Sequence, residues 1–248
     1  MPKVIVERQG PVRTVTVNRP EKRNALDVET ISLLREAFEL KPTAEERVIV
    51  VRGNGPAFCA GLDLSGGLQA ESGIQPMLRA LELSPLPAVG IVHGDAIAGG
   101  NELALHCDIV VASTAARFGM SVVQIGIAPN WFLIKKLVEV AGPVAAKEIL
   151  LLGDPLPAKR MHELGLIARI ADPADLETAA KAVIDRLAAN APLALRALKA
   201  TIVRQLEATD LVKHDDIDAL IDAARNSEDV KEGIAARFAK RPANFRGA

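Results

Sequence analysis

The chain has 248 residues, room for one large domain or a domain with a small appendage, and its 49% hydrophobic content suffices for a sizeable core. Its 30 basic residues against 31 acidic ones leave a net charge of −1, which excludes a partner recognised by bulk charge, such as nucleic acid or an acidic membrane surface. Two cysteines, Cys59 and Cys107, exclude a disulfide framework, and the opening MPKVIVERQG lacks a signal peptide's apolar core. With no uninterrupted apolar run of about 18 residues to span a bilayer, a cytoplasmic protein is expected.

In chain order, VIVERQ and VRTVTVNR alternate about Gly10-Pro11 and predict a β-hairpin. LDVETISLLREAFEL carries apolar residues at helical spacing behind Asp27, a residue suited to cap the helix. RVIVVRG, residues 47–53, reads as a buried strand ended by glycine, and SGGLQAESG, residues 65–73, has the composition of a mobile loop. PAVGIVHG predicts a short strand, GGNELALHC a helix and CDIVVAS another strand. Beyond Asn130 the pattern is helical over 131–141, 143–152, 173–189, 192–207, 211–224 and 226–239, with strand character only at LIARI. This order predicts an α/β core over 1–190 followed by a helical region over 191–248.

Several short patterns fail on a single residue. GNGPAF begins like a dinucleotide-binding loop, but Phe58 stands where the third glycine belongs. LDLSGG has Asp63 where a nucleophile elbow requires glycine. His93, His106, His162 and His214 have no metal-site spacing among themselves or with the cysteines, so no metal is expected.

Two glycine turns, GNGPAFCAGLDL and VHGDAIAGGNEL, follow buried strands at similar places. Each would leave backbone N–H groups free at the strand end, and glycine at a helix start lets a ligand approach where the helix dipole is positive. Two such donors converging on one point would form an oxyanion hole. The residues alone leave a second reading open, that Gly61, Gly99 and Gly100 serve only tight turns.

The blocks VNRPEKRNALD, FCAGLDL, AIAGGNELALHCDI and RFGMSVVQIGIAPN occur in this order, and FAKRPANF follows near the end. Together they resemble the crotonase (enoyl-CoA hydratase/isomerase) superfamily over nearly the whole chain. The resemblance implies an α/β fold of repeated ββα turns with a C-terminal helical trimerisation region. It also implies an acyl-CoA thioester as the partner, no cofactor beyond the substrate's own coenzyme A, and a homotrimer or dimer of trimers.

Carried over by position, the resemblance assigns the oxyanion N–H groups to Leu62 and Gly99 and a catalytic carboxylate to Glu102. Arg23, Ala25, Ala60, Asp63 and Leu64 would meet the adenosine end. Arg237, Lys240 and Arg241 would suit the phosphates, with a neighbouring subunit as one source of them. Gly100, Val122, Pro129, Asn130 and Trp131 would complete the substrate site, with Trp131 either narrowing the acyl pocket or sitting in the core. One departure matters. Hydratases of this family carry a second glutamate where this chain has Val122, and Asn130 falls where some members have a catalytic aspartate. A hydratase working with one carboxylate, an isomerase or decarboxylase, and a non-catalytic acyl-CoA-binding protein all remain open.

Overall fold

The hairpin forms where the alternation predicts it: β1 (Val4–Gln9) and β2 (Val12–Val17) pair antiparallel, and Gly10 takes the positive φ that the turn requires. The computed structural model describes residues 1–207 and 212–247. Helix α1 (Val28–Glu39) is capped as expected, the Asp27 carboxylate accepting the Thr30 N–H at 2.8 Å. Its Ile31, Leu34, Ala37 and Phe38 are buried at the helical spacing read from the sequence.

A strand–strand–helix unit then occurs three times. β3 (Val48–Gly53) and β4 (Ala57–Cys59) lead to α2 (Glu71–Leu83). β5 (Ala88–Val92) and β6 (Asp95–Ile97) lead to α3 (Gly99–Leu105). β7 (Ile109–Ser113) and β8 (Arg117–Gly119) lead to α4 (Trp131–Lys147). In each unit the longer strand joins a six-stranded sheet and the short one joins a four-stranded sheet. The remaining elements are β9 (Leu156–Pro157), α5 (Ala158–Glu163), β10 (Arg169–Ala171), α6 (Leu176–Ala189), α7 (Pro192–Leu206), α8 (Asp215–Arg225) and α9 (Glu228–Phe238).

The large sheet has the order β1-β2-β3-β5-β7-β10, parallel except for the hairpin; the small one is β4-β6-β8-β9, parallel except for β8 with β9. Parallel strands with both faces covered read as continuous apolar runs, which is why VIVV in β3 shows no alternation. Val48 and Val50 pack with Leu176, Ala180 and Leu187 of α6, while Ile49 and Val51 face the main core with Leu34, Phe38 and Leu78.

Several boundaries depart from the sequence reading. The loop expected over 65–73 gives its last three residues to α2, and α2 itself was not foreseen. Its Ile74, Met77, Leu78 and Leu81 have helical spacing, but Gly73 and Pro76 interrupt the local helix signal. The break expected between 131–141 and 143–152 is a kink inside α4, where Gly142 has a φ of 70°. The helix expected from residue 211 begins at Asp215, and residue 211 lies outside the described residues. Among the described residues no helix is long and apolar enough to cross a membrane.

One buried ion pair ties β2 to the chain leaving α1. Arg13 and Glu46, at 0% and 1% exposure, meet through two bonds, Nη2 to Oε2 at 2.7 Å and Nε to Oε1 at 2.9 Å. Arg13 also donates to the Leu40 carbonyl at 3.0 Å, and Glu46 accepts the Thr43 N–H at 2.8 Å. The Arg13 bonds outweigh burial and hold the Glu46 carboxyl down at about 2, from an ordinary value of 4.5. A depressed carboxyl stabilises the fold above its unfolded value and loses that stabilisation as pH falls toward about 2, worth about 3 kcal/mol here. Glu46→Gln should therefore lower stability by about 3–5 kcal/mol at neutral pH and flatten the acid limb below pH 4.5. Urea denaturation across that range checks this; an unchanged midpoint would contradict it.

Candidate active site

The small sheet positions the site. β4, β6 and β8 lie side by side and parallel, so their C-terminal ends open on the same edge. The segment after β4 supplies Leu62, the one after β6 supplies Gly99, and the one after β8 supplies Val122. All three line one cavity of about 510 Å³.

Asn24 stitches the approach to this edge. Its φ of 57° and that of Arg23, 52°, turn the chain sharply, and the buried amide donates to the carbonyls of Asn54 at 2.7 Å and Ala57 at 2.8 Å. The adjoining Leu26 bridges Leu62 in parallel register: Leu26 N–H donates to Gly61 at 2.8 Å, and Asp63 N–H donates to Leu26 at 2.9 Å. That pattern leaves the Leu62 N–H outside the bridge. Gly99 is the first residue of α3, so its N–H has no carbonyl within the helix to reach; the first intrahelical bond is Glu102 to Ala98 at 3.1 Å.

The two turns touch. Gly61 has a φ of 85°, and a Cβ there would lie 2.8 Å from the Ile97 carbonyl and 3.1 Å from the Gly99 nitrogen. A Cβ on Gly100 would lie only 2.0 Å from the Cys59 carbonyl, so α3 packs directly on the end of β4. The two glycines of α3 thus differ in purpose: Gly100 permits contact and is buried beneath the cavity, while Gly99 borders it.

Of the residues named from the sequence, Arg23, Ala25, Ala60, Asp63, Leu64, Pro129, Asn130 and Lys240 also line this cavity. Asp63 is already engaged, accepting from Ser65 Oγ at 2.6 Å and from Arg19 at 2.9 Å, and these bonds hold its carboxyl below the usual range. Asn130 caps α4, accepting the Leu133 N–H at 3.1 Å, which is the local role its amide performs. Arg237 and Lys240 come from the same chain as the rest of the lining, so no neighbouring subunit is needed to bring them there. Arg241 instead pairs with Glu232 at 2.6 Å.

Besides Arg241, three expected residues stand outside the lining: Gly100, Glu102 and Trp131. Trp131 does not narrow this cavity. As the first residue of α4 it stacks on His214, ring centres 4.6 Å apart and planes nearly parallel at 7°, in a second cavity of about 430 Å³. Glu102 follows Gly99 by three residues on the same face of α3, about 4.5 Å along the axis. It is fully buried, and neither carboxyl oxygen has a hydrogen-bond partner among the described residues.

Burial pushes the Glu102 carboxyl up to about 8, against the opposing charge of Lys136, so the acid form predominates at neutral pH. His106, with Nδ1 3.7 Å from that carboxyl, is likewise fully buried, and burial pulls it down to about 3. It is therefore neutral and makes no ion pair with Glu102; its Nδ1 bonds the Glu102 carbonyl at 2.8 Å instead.

The sequence reading missed much of the wall. Met120, Ser121, Ile125, Ile127 and Leu133 line it together with Val122, and Leu68 with Glu71 and Ile74 of α2 complete the wall. The first group sits inside or beside the quoted RFGMSVVQIGIAPN block and was findable there; the second required α2. Among the described residues no cluster of three or more His, Cys, Asp or Glu could hold a metal ion.

The glycine pair makes a stability prediction. Gly100→Ala should cost about 3 kcal/mol or more, because its Cβ would fall 2.0 Å from a backbone oxygen that must move. Gly99→Ala should stay within about 1 kcal/mol, since its Cβ meets only ordinary contacts at 3.4–3.5 Å. Thermal denaturation of both variants checks this, and equal losses would contradict it.

The family model for enoyl-CoA hydratase/isomerase matches residues 7–248. The 2,3-dehydroadipyl-CoA hydratase of Escherichia coli is 33% identical over 100% of both chains. A solved enoyl-CoA hydratase from Mycobacterium avium subsp. paratuberculosis superposes with a TM-score of 0.86 at 27% identity, covering 99% of each chain. A methylmalonyl-CoA decarboxylase solved with 2S-carboxypropyl-CoA superposes at 0.92 with 26% identity, covering 100% of this chain and 99% of its own. Spread over the whole length and joined to the repeated ββα architecture, these likenesses show that the chain belongs to the enoyl-CoA hydratase/isomerase family, of the crotonase superfamily.

Proposed function

We propose that the protein is a cytoplasmic acyl-CoA enzyme of the enoyl-CoA hydratase type, with Glu102 as its one catalytic carboxylate. The observation that carries this reading is the pair of N–H groups of Leu62 and Gly99, unengaged among the described residues, where touching turns border the main cavity. A thioester carbonyl between them gains two hydrogen bonds that strengthen as negative charge develops on its oxygen, each worth about 3–4 kcal/mol in the transition state. The coenzyme A portion runs past Arg23, Ala60 and Leu64 toward Lys240, and the acyl group turns inward past Val122. Coenzyme A belongs to the substrate, and the reading needs no other cofactor.

In hydration the water oxygen bonds to Cβ, the π electrons move toward the thioester as an enolate, and a proton ends on Cα. Glu102, buried beside the Asn101 amide in the first turn of α3, takes the water's proton as carboxylate and returns it to Cα. Only the ionised form can begin this cycle. Hydration of crotonyl-CoA should therefore rise as pH passes through about 8. Glu102→Gln should lower it by about 100-fold or more with thioester binding kept, and Val122→Glu should raise it above wild type. Unchanged turnover in both variants, each folded and binding, would remove Glu102 from the mechanism.

A second reading is decarboxylation, favoured by the apolar Val122 and by the likeness to methylmalonyl-CoA decarboxylase. Loss of carbon dioxide from a malonyl-type thioester leaves the electron pair as the same enolate, so the N–H pair suffices and Glu102 at most delivers a proton. Turnover of methylmalonyl-CoA without hydration of crotonyl-CoA would select this reading. Tight binding of both with turnover of neither would make the chain a non-catalytic acyl-CoA-binding protein.

The assembly we propose is a homotrimer or a dimer of trimers built on the C-terminal helical region, residues 191–248. In support, Leu193, Leu198 and Ile202 of α7 are 75%, 61% and 58% exposed, more apolar surface than one helix of a monomer ordinarily leaves in water. Light scattering at micromolar concentration should give a trimeric or hexameric mass; a monomer would contradict the assembly.

A further inference from the structure

The main cavity ends between α2 and α4. Ile74 of α2 and Leu133 of α4 line it, while their chain neighbours Gln75 and Phe132 line the second cavity on the far side. Asn130 borders both, and its amide N–H donates to Gln75 Oε1 at 3.3 Å across the divide. The same amide is held from its other end, its oxygen accepting the Leu133 N–H at 3.1 Å. Asn130 therefore cannot turn away from Gln75 without uncapping α4.

Two further contacts keep the divide shut. Farther along the same two helices, Lys136 of α4 donates to Glu82 of α2 at 2.9 Å, so the pair is fastened at a second point. Behind Asn130, the Trp131 ring stacks on His214, centres 4.6 Å apart. An alkyl chain driven through would part the amide bond between fastened helices. It would emerge among the polar ends of Gln75, Arg79, His214 and Asp218.

The divide also lies close to the reacting end of the cavity. A Cβ placed on Gly99 would lie 3.4 Å from Ile74 Cδ1, so Ile74 flanks one of the two N–H donors, and Gln75 is the next residue of α2. A chain leaving a carbonyl held there meets the apolar side chains of Ile74, Val122 and Leu133, and then the Asn130–Gln75 pair.

We propose that the Asn130–Gln75 contact is the end wall of the acyl site, which makes Gln75 a specificity-determining residue and short-chain acyl-CoA thioesters the substrate class. This rests on the acyl-CoA reading of the main cavity and adds a length limit to it. Up to the wall each methylene leaves water for apolar contact and tightens binding about fourfold; at the wall the gain stops.

Calorimetric titration of the whole protein with saturated thioesters from acetyl-CoA to palmitoyl-CoA tests this. In wild type the affinity should climb with chain length and turn no later than octanoyl-CoA. Gln75→Ala, at an exposed position where alanine favours the helix, opens the way to the Phe132 ring and should move the turning point to a longer chain. Asn130→Ser, which keeps an oxygen to cap α4 but lacks the reach to Gln75, should move it likewise. Affinity that climbs through palmitoyl-CoA in wild type, or a turning point left in place by either variant, would overturn the wall. Acetyl-CoA separates the two claims. If it binds while the ladder shows no turning point, only the length limit fails; if no thioester binds, the acyl-CoA reading fails and the limit with it.

Discussion

The first turn of α3 lies against the carbonyl of Cys59, and the geometry of the site follows from that approach. A side chain at residue 100 would hold the helix away from β4, since even one carbon would come within 2.0 Å of the oxygen. With hydrogen there instead, Gly61 and Gly99 come into contact, and the ends of two neighbouring parallel strands share one edge of the cavity. Helix geometry gives the Gly99 N–H no partner in α3, and bridge register leaves the Leu62 N–H outside the Leu26 pairing. Neither donor requires a dedicated polar side chain. The cavity wall around them can therefore be mostly apolar while still presenting two fixed dipoles.

Two buried glutamates show how the same side chain reaches opposite states. At Glu46 the guanidinium of Arg13 supplies two direct bonds and the Thr43 N–H a third, and together they overcome desolvation, so the group is a carboxylate to about pH 2. At Glu102 desolvation prevails. Lys136 acts only through its charge, itself bonding Glu82 at 2.9 Å, and the neutral Asn101 amide is the one side chain beside Glu102 that favours the carboxylate by hydrogen bonding. Charged hydrogen-bond donors in direct contact decide the sign. The first glutamate holds the fold together through its charge. The second is kept in its acid form at neutral pH by burial, in the first turn of the helix that begins at Gly99.

What the sequence made legible was the part written in local chemistry. The Gly10 turn, the Asp27 cap and the apolar runs of β3, β5 and β7 each depend on a few neighbouring residues, and all formed where expected. The small sheet was not legible, because strands of two or three residues such as β4, β6 and β9 leave no periodicity to read. Helix α2 was obscured by Gly73 and Pro76, whose unfavourable propensity is overridden by burial of Ile74, Met77 and Leu81. At the site, motif position identified which residues cluster but not where they face. Trp131 turned toward His214 rather than the main cavity, and Glu102 settled behind the wall, outcomes governed by packing between elements distant in the chain.

The central claim is that the Leu62 and Gly99 N–H groups polarise a thioester carbonyl. Isotope-edited infrared spectroscopy of carbonyl-labelled butyryl-CoA measures that polarisation directly in the complex. Two converging donors lower the carbonyl stretching frequency on binding relative to the same thioester in water, because fixed dipoles oriented at the oxygen weaken the double bond more than mobile solvent does. A bound thioester whose carbonyl frequency stays at or above its value in water would contradict the account.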